Sequence, residues 1–278
     1  MKCAFPYTIE ADLIQELPLV CYEGKIVIVE DVEILHRELP LIKQEKILGF
    51  DTETRPSFQK GKNYPISILQ LCGDNCVWII RLNALSENLR EIYEILEDGN
   101  IIKAGIAING DLNGLAALAE LRHNGMEDIS NYTRKMGMLN TGLKNLSAIL
   151  LGVRVSKGAQ TSNWANETLT ERQIKYAATD AWISRELYLE AKRIYNAKQF
   201  TEPLEYPEPK KSLKGKIKHI AKKIRKIFIS IKPSKSSSKK KTRKPQNNFS
   251  KNKKPEQKKN WHKKDFHKKH KKNNAKKS

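Results

Sequence analysis

What most limits the fold of this chain is an abrupt change of character at a proline cluster, Pro203, Pro207 and Pro209. Residues 1–209 carry 23 Lys+Arg against 29 Asp+Glu, a net of −6, and residues 210–278 carry 29 against 2, a net of +27, which together make the formal +21 of the chain. The segment beyond Pro233, with runs such as Ser234-Lys235-Ser236-Ser237-Ser238-Lys239-Lys240-Lys241, has too little apolar content to offset the entropy of ordering it. Any hydrophobic core must therefore be built before the prolines. The expected organisation is an N-terminal extension (1–24), a globular domain (25–200), a proline-rich linker (201–210), a basic helix (211–232) and a disordered Lys-rich tail (233–278).

Within the acidic part, apolar and β-branched runs predict strands over 25–29, 47–50, 66–71, 77–82 and 101–106. Helical spacing predicts helices over 32–43, 85–96, 112–121, 143–151 and 170–195. The last opens with Thr170-Glu171-Arg172-Gln173, a capping box in which hydroxyl and carboxamide satisfy free backbone N–H groups, flanked by Leu169 and Ile174 as a hydrophobic staple. Early strands joined by tight turns, then strands alternating with helices, predict an α/β fold: a mixed sheet covered by helices. In the basic part, Leu213, Ile217, Ile220, Ile224, Ile227, Phe228 and Ile231 fall at helical spacing with lysines and arginines between them, an amphipathic pattern.

Several classes are excluded. No apolar run reaches the ~18–20 residues that a membrane span requires. Four cysteines in 278 residues are too sparse for a disulfide framework. The start of the chain turns acidic at Glu10 and Asp12 without the apolar segment of a signal peptide, so a cytoplasmic location is expected. Nothing in the pattern specifies an oligomeric state.

Three segments carry candidate chemistry. Asp51 and Glu53, in Gly49-Phe50-Asp51-Thr52-Glu53, are two residues apart and project from one face of a strand. An exposed polar edge is one reading of that pair. The other is a cation site, because two carboxylates directly after a buried run repel each other unless a cation joins them. Asp111 lies at a strand-to-helix junction, Gly105 to Leu112, where Asn109 or Asp111 can cap the helix or direct a carboxylate into a site. Tyr176 and Asp180 are four apart on one helix face, and Ala177, Ala178 and Ala181 would let that helix approach a sheet closely.

In this order and context the segments resemble the DEDD family of 3′–5′ exonucleases, tyrosine subtype. Gln160-Thr161-Ser162-Asn163-Trp164 followed by Leu169 to Ala181 is similar to the third motif of ribonuclease D and of the Werner syndrome exonuclease domain. Phe50-Asp51-Thr52-Glu53 with Ser67-Ile68-Leu69-Gln70-Leu71 resembles their first motif. The resemblance spans about residues 25–197. It implies a ribonuclease-H-like mixed β-sheet flanked by helices, and metal-dependent hydrolysis at the 3′ end of DNA or RNA. Two divalent ions roughly 3.5–4 Å apart can activate water, neutralise the in-line phosphate charge and support the leaving oxygen. Carboxylates without His or Cys fit Mg²⁺ or Mn²⁺ rather than zinc. The implied roles are Asp51 bridging both ions, Glu53 and Asp180 on the water-activating ion, Asp111 on the other, and Tyr176 orienting the attacking water. A phenol with an ordinary pKa near 10 suits positioning better than deprotonation. A rival reading, a non-catalytic nucleic-acid-binding protein on the same fold, predicts loss of at least one acid; all four are present.

Other residues have plainer readings. Cys72 and Cys76 bracket a turn without the further ligands zinc needs, so they read as reduced thiols. His36 and His123 are isolated. Arg55, Lys60, Lys62 and Lys157 are candidates for phosphate contacts or for solvated loops. Trp164 is a candidate for base stacking or for the core. Phe249, Trp261 and Phe266 among the tail lysines suit electrostatic, sequence-tolerant nucleic-acid binding. The segment 213–231 also fits weak contact with an anionic membrane surface, and a solubilising extension is the plainest reading of all.

Overall fold

The computed structural model describes residues 4–59, 61 and 63–200. The predicted linker, basic helix and lysine-rich tail lie outside the described residues. The sheet comprises β1 (Lys25–Val29), β2 (Ile47–Thr54), β3 (Ile66–Cys72), β4 (Cys76–Arg81), β5 (Ile102–Gly105) and β6 (Met126–Asp128). Across the sheet the order is β1-β4-β3-β2-β5-β6. β3 runs antiparallel to both of its neighbours and every other pairing is parallel, so the sheet is mixed, as expected. Around it lie α1 (Ala11–Gln15), α2 (Val32–Ile42), α3 (Leu89–Glu97), α4 (Asn109–Ala116), α5 (Ile129–Lys135), α6 (Leu143–Leu146) and α7 (Glu171–Asn196).

Alternation along the strands decides the two layers. Leu48, Phe50, Leu69, Leu71, Trp78 and Ile80 pack with Leu35 and Leu39 of α2, Ile92, Tyr93 and Leu96 of α3, and Leu115 of α4. Residues of opposite parity, Ile68, Cys72, Val77 and Ile79, meet Ala177, Ala178 and Ala181 of α7. β3 and β4 are buried along their whole length because both faces are covered. α7 crosses β2, β3, β4 and β5.

The strands and helices lie close to their predicted places, with several differences, the first being α1 at Ala11–Gln15 in what the sequence presents only as an extension. β6 and α5 were not foreseen: Met126–Asp128 is a short edge strand without an apolar run, and α5 is held by the Asp128 carboxylate, which accepts from Ser130 N–H at 2.8 Å. α4 starts at Asn109 rather than 112 and ends at Ala116, where the last turn tightens with Leu118 N–H donating to Leu115 C=O at 2.9 Å. The helix expected over 143–151 is α-helical only to Leu146, and Ser147–Leu151 widens into a π turn closed by Gly152 at φ +65°. α3 is preceded by a 3₁₀ turn at Ser86–Asn88.

Cys72 and Cys76 are free, buried thiols, and burial raises both, Cys76 to about 11, so they pack as small apolar groups. His36 Nε2 lies 2.8 Å from the Glu91 carboxylate at the surface. Among the described residues no helix is long and apolar enough to cross a membrane.

Lys103 is fully buried on β5, its ammonium donating to the carbonyls of Asp98 at 2.7 Å and Ile101 at 2.8 Å. Burial pushes it down from 10.5 to about 8, only partly opposed by Asp98. Between those values the unfolded chain holds the proton that the folded chain has lost, so Lys103 makes stability rise with pH across that window. Subtracting the denaturation curves of Lys103→Met from those of the wild type should isolate a positive slope between pH 8 and pH 10.5. A difference that is flat with pH would show the ammonium to be unperturbed.

Candidate active site

β2 carries Asp51 and Glu53 on the face that α7 covers, opposite Gln70 and Ile68 of β3. The register shifts between Glu53, paired with Ile68, and Thr54, paired with Ile66. This irregularity sends Ile66 into the opposite layer from Ile68 and ends regular pairing directly after the second acid.

Asp111 arrives by a different route. After β5 the chain turns at Ala107, which holds φ +56°, a conformation a non-glycine residue adopts at a cost. The Asp128 carboxylate supports the turn by accepting from Ala107 N–H at 3.1 Å. At Gly105 a Cβ would stand 2.8 Å from the Phe50 carbonyl oxygen, so β5 can meet β2 here only without a side chain. α4 then begins with Ile108 in the N-cap position and no side-chain cap. Capping by Asn109 or Asp111 is therefore not observed, because both lie inside the first turn. Asp111 instead accepts a hydrogen bond from the Thr52 hydroxyl, between the two acids of β2.

α7 supplies Tyr176 and Asp180. The capping box forms as expected: Thr170 Oγ1 accepts from Gln173 N–H at 3.3 Å, and Gln173 Oε1 accepts from Thr170 N–H at 3.0 Å. The Gln173 amide also donates to the Asn163 carbonyl at 3.1 Å, while buried Arg81 of β4 donates to the carbonyls of Asn166 and Glu167, tying the preceding loop to the sheet. A second brace comes from residues ahead of β1. Tyr22 N–H donates to Thr179 Oγ1 at 3.0 Å and Lys175 Nζ donates to the Tyr22 carbonyl at 3.4 Å, one residue before Asp180 and Tyr176 respectively.

These routes converge. Asp51, Glu53 and Asp180 each present a carboxylate oxygen within 4.8 Å of the others, with Asp180 buried and the other two half-buried. Burial raises Asp51 well above the carboxylate range, helped by the charges of Asp180 and Asp111 and opposed by the Thr52 N–H. Burial, then the charges of Asp51, Asp180 and Asp111, push Glu53 up to about 9. Asp180 is raised by burial to about 7, less than it would be without the hydrogen bond from the Tyr176 hydroxyl. Asp111 is raised by burial against the pull of Thr52. Burial and the neighbouring carboxylates raise Tyr176, so it stays a neutral phenol. Four crowded acids that resist ionisation, offering oxygen alone, match the donor set of a hard divalent cation.

Trp164 is fully buried and packs 5.9 Å from the Tyr176 ring, so it belongs to the core and is not a base platform. Arg55 stands 4.8 Å over the Tyr64 ring and lines a cavity of about 340 Å³ with Phe58, Thr161 and Asn163. Lys157 is exposed, and Lys60 and Lys62 lie outside the described residues. Thr52, Asp128, Thr179 and Gln70 were missed as contributors. The only trace of Thr52 in the sequence is a hydroxyl between two acids; the other three are recognisable only by their spatial neighbours.

Comparison with known proteins places the chain in a family. The 3′-5′ exonuclease family matches residues 26–194. The exonuclease 3′-5′ domain-containing protein 2 of Mus musculus is 35% identical over 166 residues, 54% of this chain and 25% of that protein. The bifunctional 3′-5′ exonuclease/ATP-dependent helicase WRN of Mus musculus is 28% identical over 181 residues, 62% of this chain and 13% of that one. Escherichia coli RNase D, an exoribonuclease involved in structured RNA processing, superposes with a TM-score of 0.53 at 20% identity, over 61% of this chain and 46% of that chain, a likeness of fold. The chain spans a quarter or less of the two mouse proteins it matches. The fold is the ribonuclease-H-like mixed sheet of exonucleases. With its family match running from β1 to the end of α7, the chain belongs to the 3′-5′ exonuclease family.

The acid cluster has a thermodynamic signature. Without cations the folded chain keeps the Glu53 proton to about pH 9, whereas the unfolded chain releases it near 4.5. In that window the folded state binds more protons, so metal-free stability falls as pH rises. A divalent cation taken up by the cluster would bind its ionised form, so the stabilising effect of such a cation should grow over the same window. Thermal melts in EDTA and in Mn²⁺ from pH 5 to pH 9 check this. A metal-dependent increment that shrinks with pH would contradict the cluster as cation site.

Proposed function

We propose that this protein is a metal-dependent 3′–5′ exonuclease of the tyrosine subtype, releasing nucleoside 5′-monophosphates from the 3′ end of DNA or RNA. The observation that carries the reading is the meeting of Asp51, Glu53 and Asp180 within 4.8 Å, with Tyr176 one turn before Asp180 on α7. When bound, two Mg²⁺ or Mn²⁺ ions supply charge neutralisation at the phosphate, acidification of water and support for the leaving 3′-oxygen. Asp51, whose carboxylate feels the charges of both Asp180 and Asp111, would serve both ions. Glu53 and Asp180 would hold the one beside the attacking water, and Asp111 the other. Tyr176, kept neutral by its surroundings, positions that water by hydrogen bonding and holds its own proton throughout.

The assay uses 5′-labelled single-stranded DNA and RNA with Mg²⁺, Mn²⁺ or EDTA. Stepwise shortening from the 3′ end should occur with metal and stop in EDTA. Asp51→Ala should slow it by on the order of 10³-fold or more, and Tyr176→Phe by about 10²-fold. Shortening that persists in EDTA or in Asp51→Ala would refute the assignment.

The basic segment has its place in the same reading. Residues 1–209 are net −6 and carry the acid cluster, so they attract a polyanion poorly; residues 210–278, at +27, act as an electrostatic tether that raises local substrate concentration. Deleting 210–278 should weaken oligonucleotide binding and flatten the fall of affinity with salt. Unchanged rate and salt dependence after the deletion would remove the tether from the proposal.

A further inference from the structure

Among the described residues Arg81 Nε, Ser130 Oγ, Trp164 Nε1 and both polar atoms of Gln70 are buried without a hydrogen-bond partner, and Gln70 alone of these leaves a whole carboxamide unpaired. It lies on β3 directly across from Asp51 of β2 and beside Ile79 of β4. Opposed residues of an antiparallel pair point to one face with Cβ atoms roughly 4.5–5.5 Å apart, so Gln70 shares the α7 face with Asp51. The apolar part of that layer includes Ile68, Ile79, Ala177 and Ala181. Gln70 is 0% exposed, and neither its Oε1 nor its Nε2 has a hydrogen-bond partner among the described residues. Buried amides in native proteins are almost always paired, so an orphan in this position calls for a cause. An apolar side chain of the same length would fit the layer without that penalty.

The neighbour across the strand has the complementary need. An ionised carboxylate only accepts hydrogen bonds and has sites for several. Asp51 accepts one among the described residues, from Thr52 N–H at 2.9 Å. We propose that Gln70 is a positioning residue: its amide N–H donates to the Asp51 carboxylate when cations occupy the acidic cluster, fixing the rotamer of the acid that serves both ions. This deepens the metal-dependent reading above and rests on it. Gln70 touches neither substrate nor cation; it acts through Asp51.

Gln70→Met keeps the side-chain length and removes the amide, and three measurements on the full chain distinguish positioning from packing. In EDTA the melting midpoint of the variant should hold or rise by about 2–4 °C, because two orphaned polar atoms have gone. Calorimetry with Mn²⁺ should show affinity lower by about tenfold or more. On a 5′-labelled oligonucleotide, kcat should fall by a similar factor with KM unchanged. Undiminished Mn²⁺ affinity and kcat in Gln70→Met would overturn the proposal. A lower midpoint in EDTA, or failure to fold, would overturn it too, by showing that the amide already has a structural partner. Failure of the underlying reading looks different: wild-type protein that takes up no Mn²⁺ refutes the metal site, and this proposal with it, before any variant is compared.

Discussion

The site depends on how closely the backbone of α7 lies on the backbone of β2. At Gly49 a Cβ would stand 2.0 Å from the Ala181 carbonyl oxygen, which no side chain can occupy. The fully buried Ala177, Ala178 and Ala181 make the same approach possible from the helix side. Only because strand and helix touch here can Asp51 and Glu53 share one small volume with Asp180. A larger residue at any of these contacts would move the helix away and leave two half-sites, neither able to concentrate charge enough to require a cation.

That volume is held together against its own electrostatics. Its carboxylates raise one another's proton affinity, Ala107 holds a left-handed backbone in the turn that leads to Asp111, and Gln70, across from Asp51, has no hydrogen-bond partner among the described residues. Strain of this kind persists only where the surroundings over-determine the geometry. Here they do. The capping box and Arg81 fix the entry to α7, Tyr22 grips Thr179 and Lys175, and Asp128 braces the turn that leads to Asp111. The segment ahead of β1, which reads as a mere extension, is part of that bracing. Asp128 accepts from two backbone N–H groups, while Asp51, Glu53 and Asp180 crowd one another.

Legibility followed locality. The buried strands announced themselves as apolar runs, and the capping box of α7 was readable because its partners are three residues apart. Asp51, Glu53, Tyr176 and Asp180 were noticed by spacing, then weighted by resemblance. β6 escaped because Met126-Glu127-Asp128 pairs along one edge only and needs no apolar run. α4 was displaced because its start depends on Ala107 and on Asp128, a partner from another strand. Trp164 as a stacking platform was equally consistent with its local sequence; its neighbour Tyr176 decided for the core.

By itself the sequence determined that a core could form only before Pro203, that this core would be a mixed sheet clothed in helices, and which acids were worth following. Tertiary structure alone decided that three of those acids meet, that Asp111 joins them through Thr52 rather than capping its helix, and that Gln70 stands across the sheet from Asp51. The division has one physical cause. Periodicity, capping and charge act between residues close in sequence. The approach of α7 to β2 brings together residues well over a hundred positions apart, and it is written in no segment of the chain.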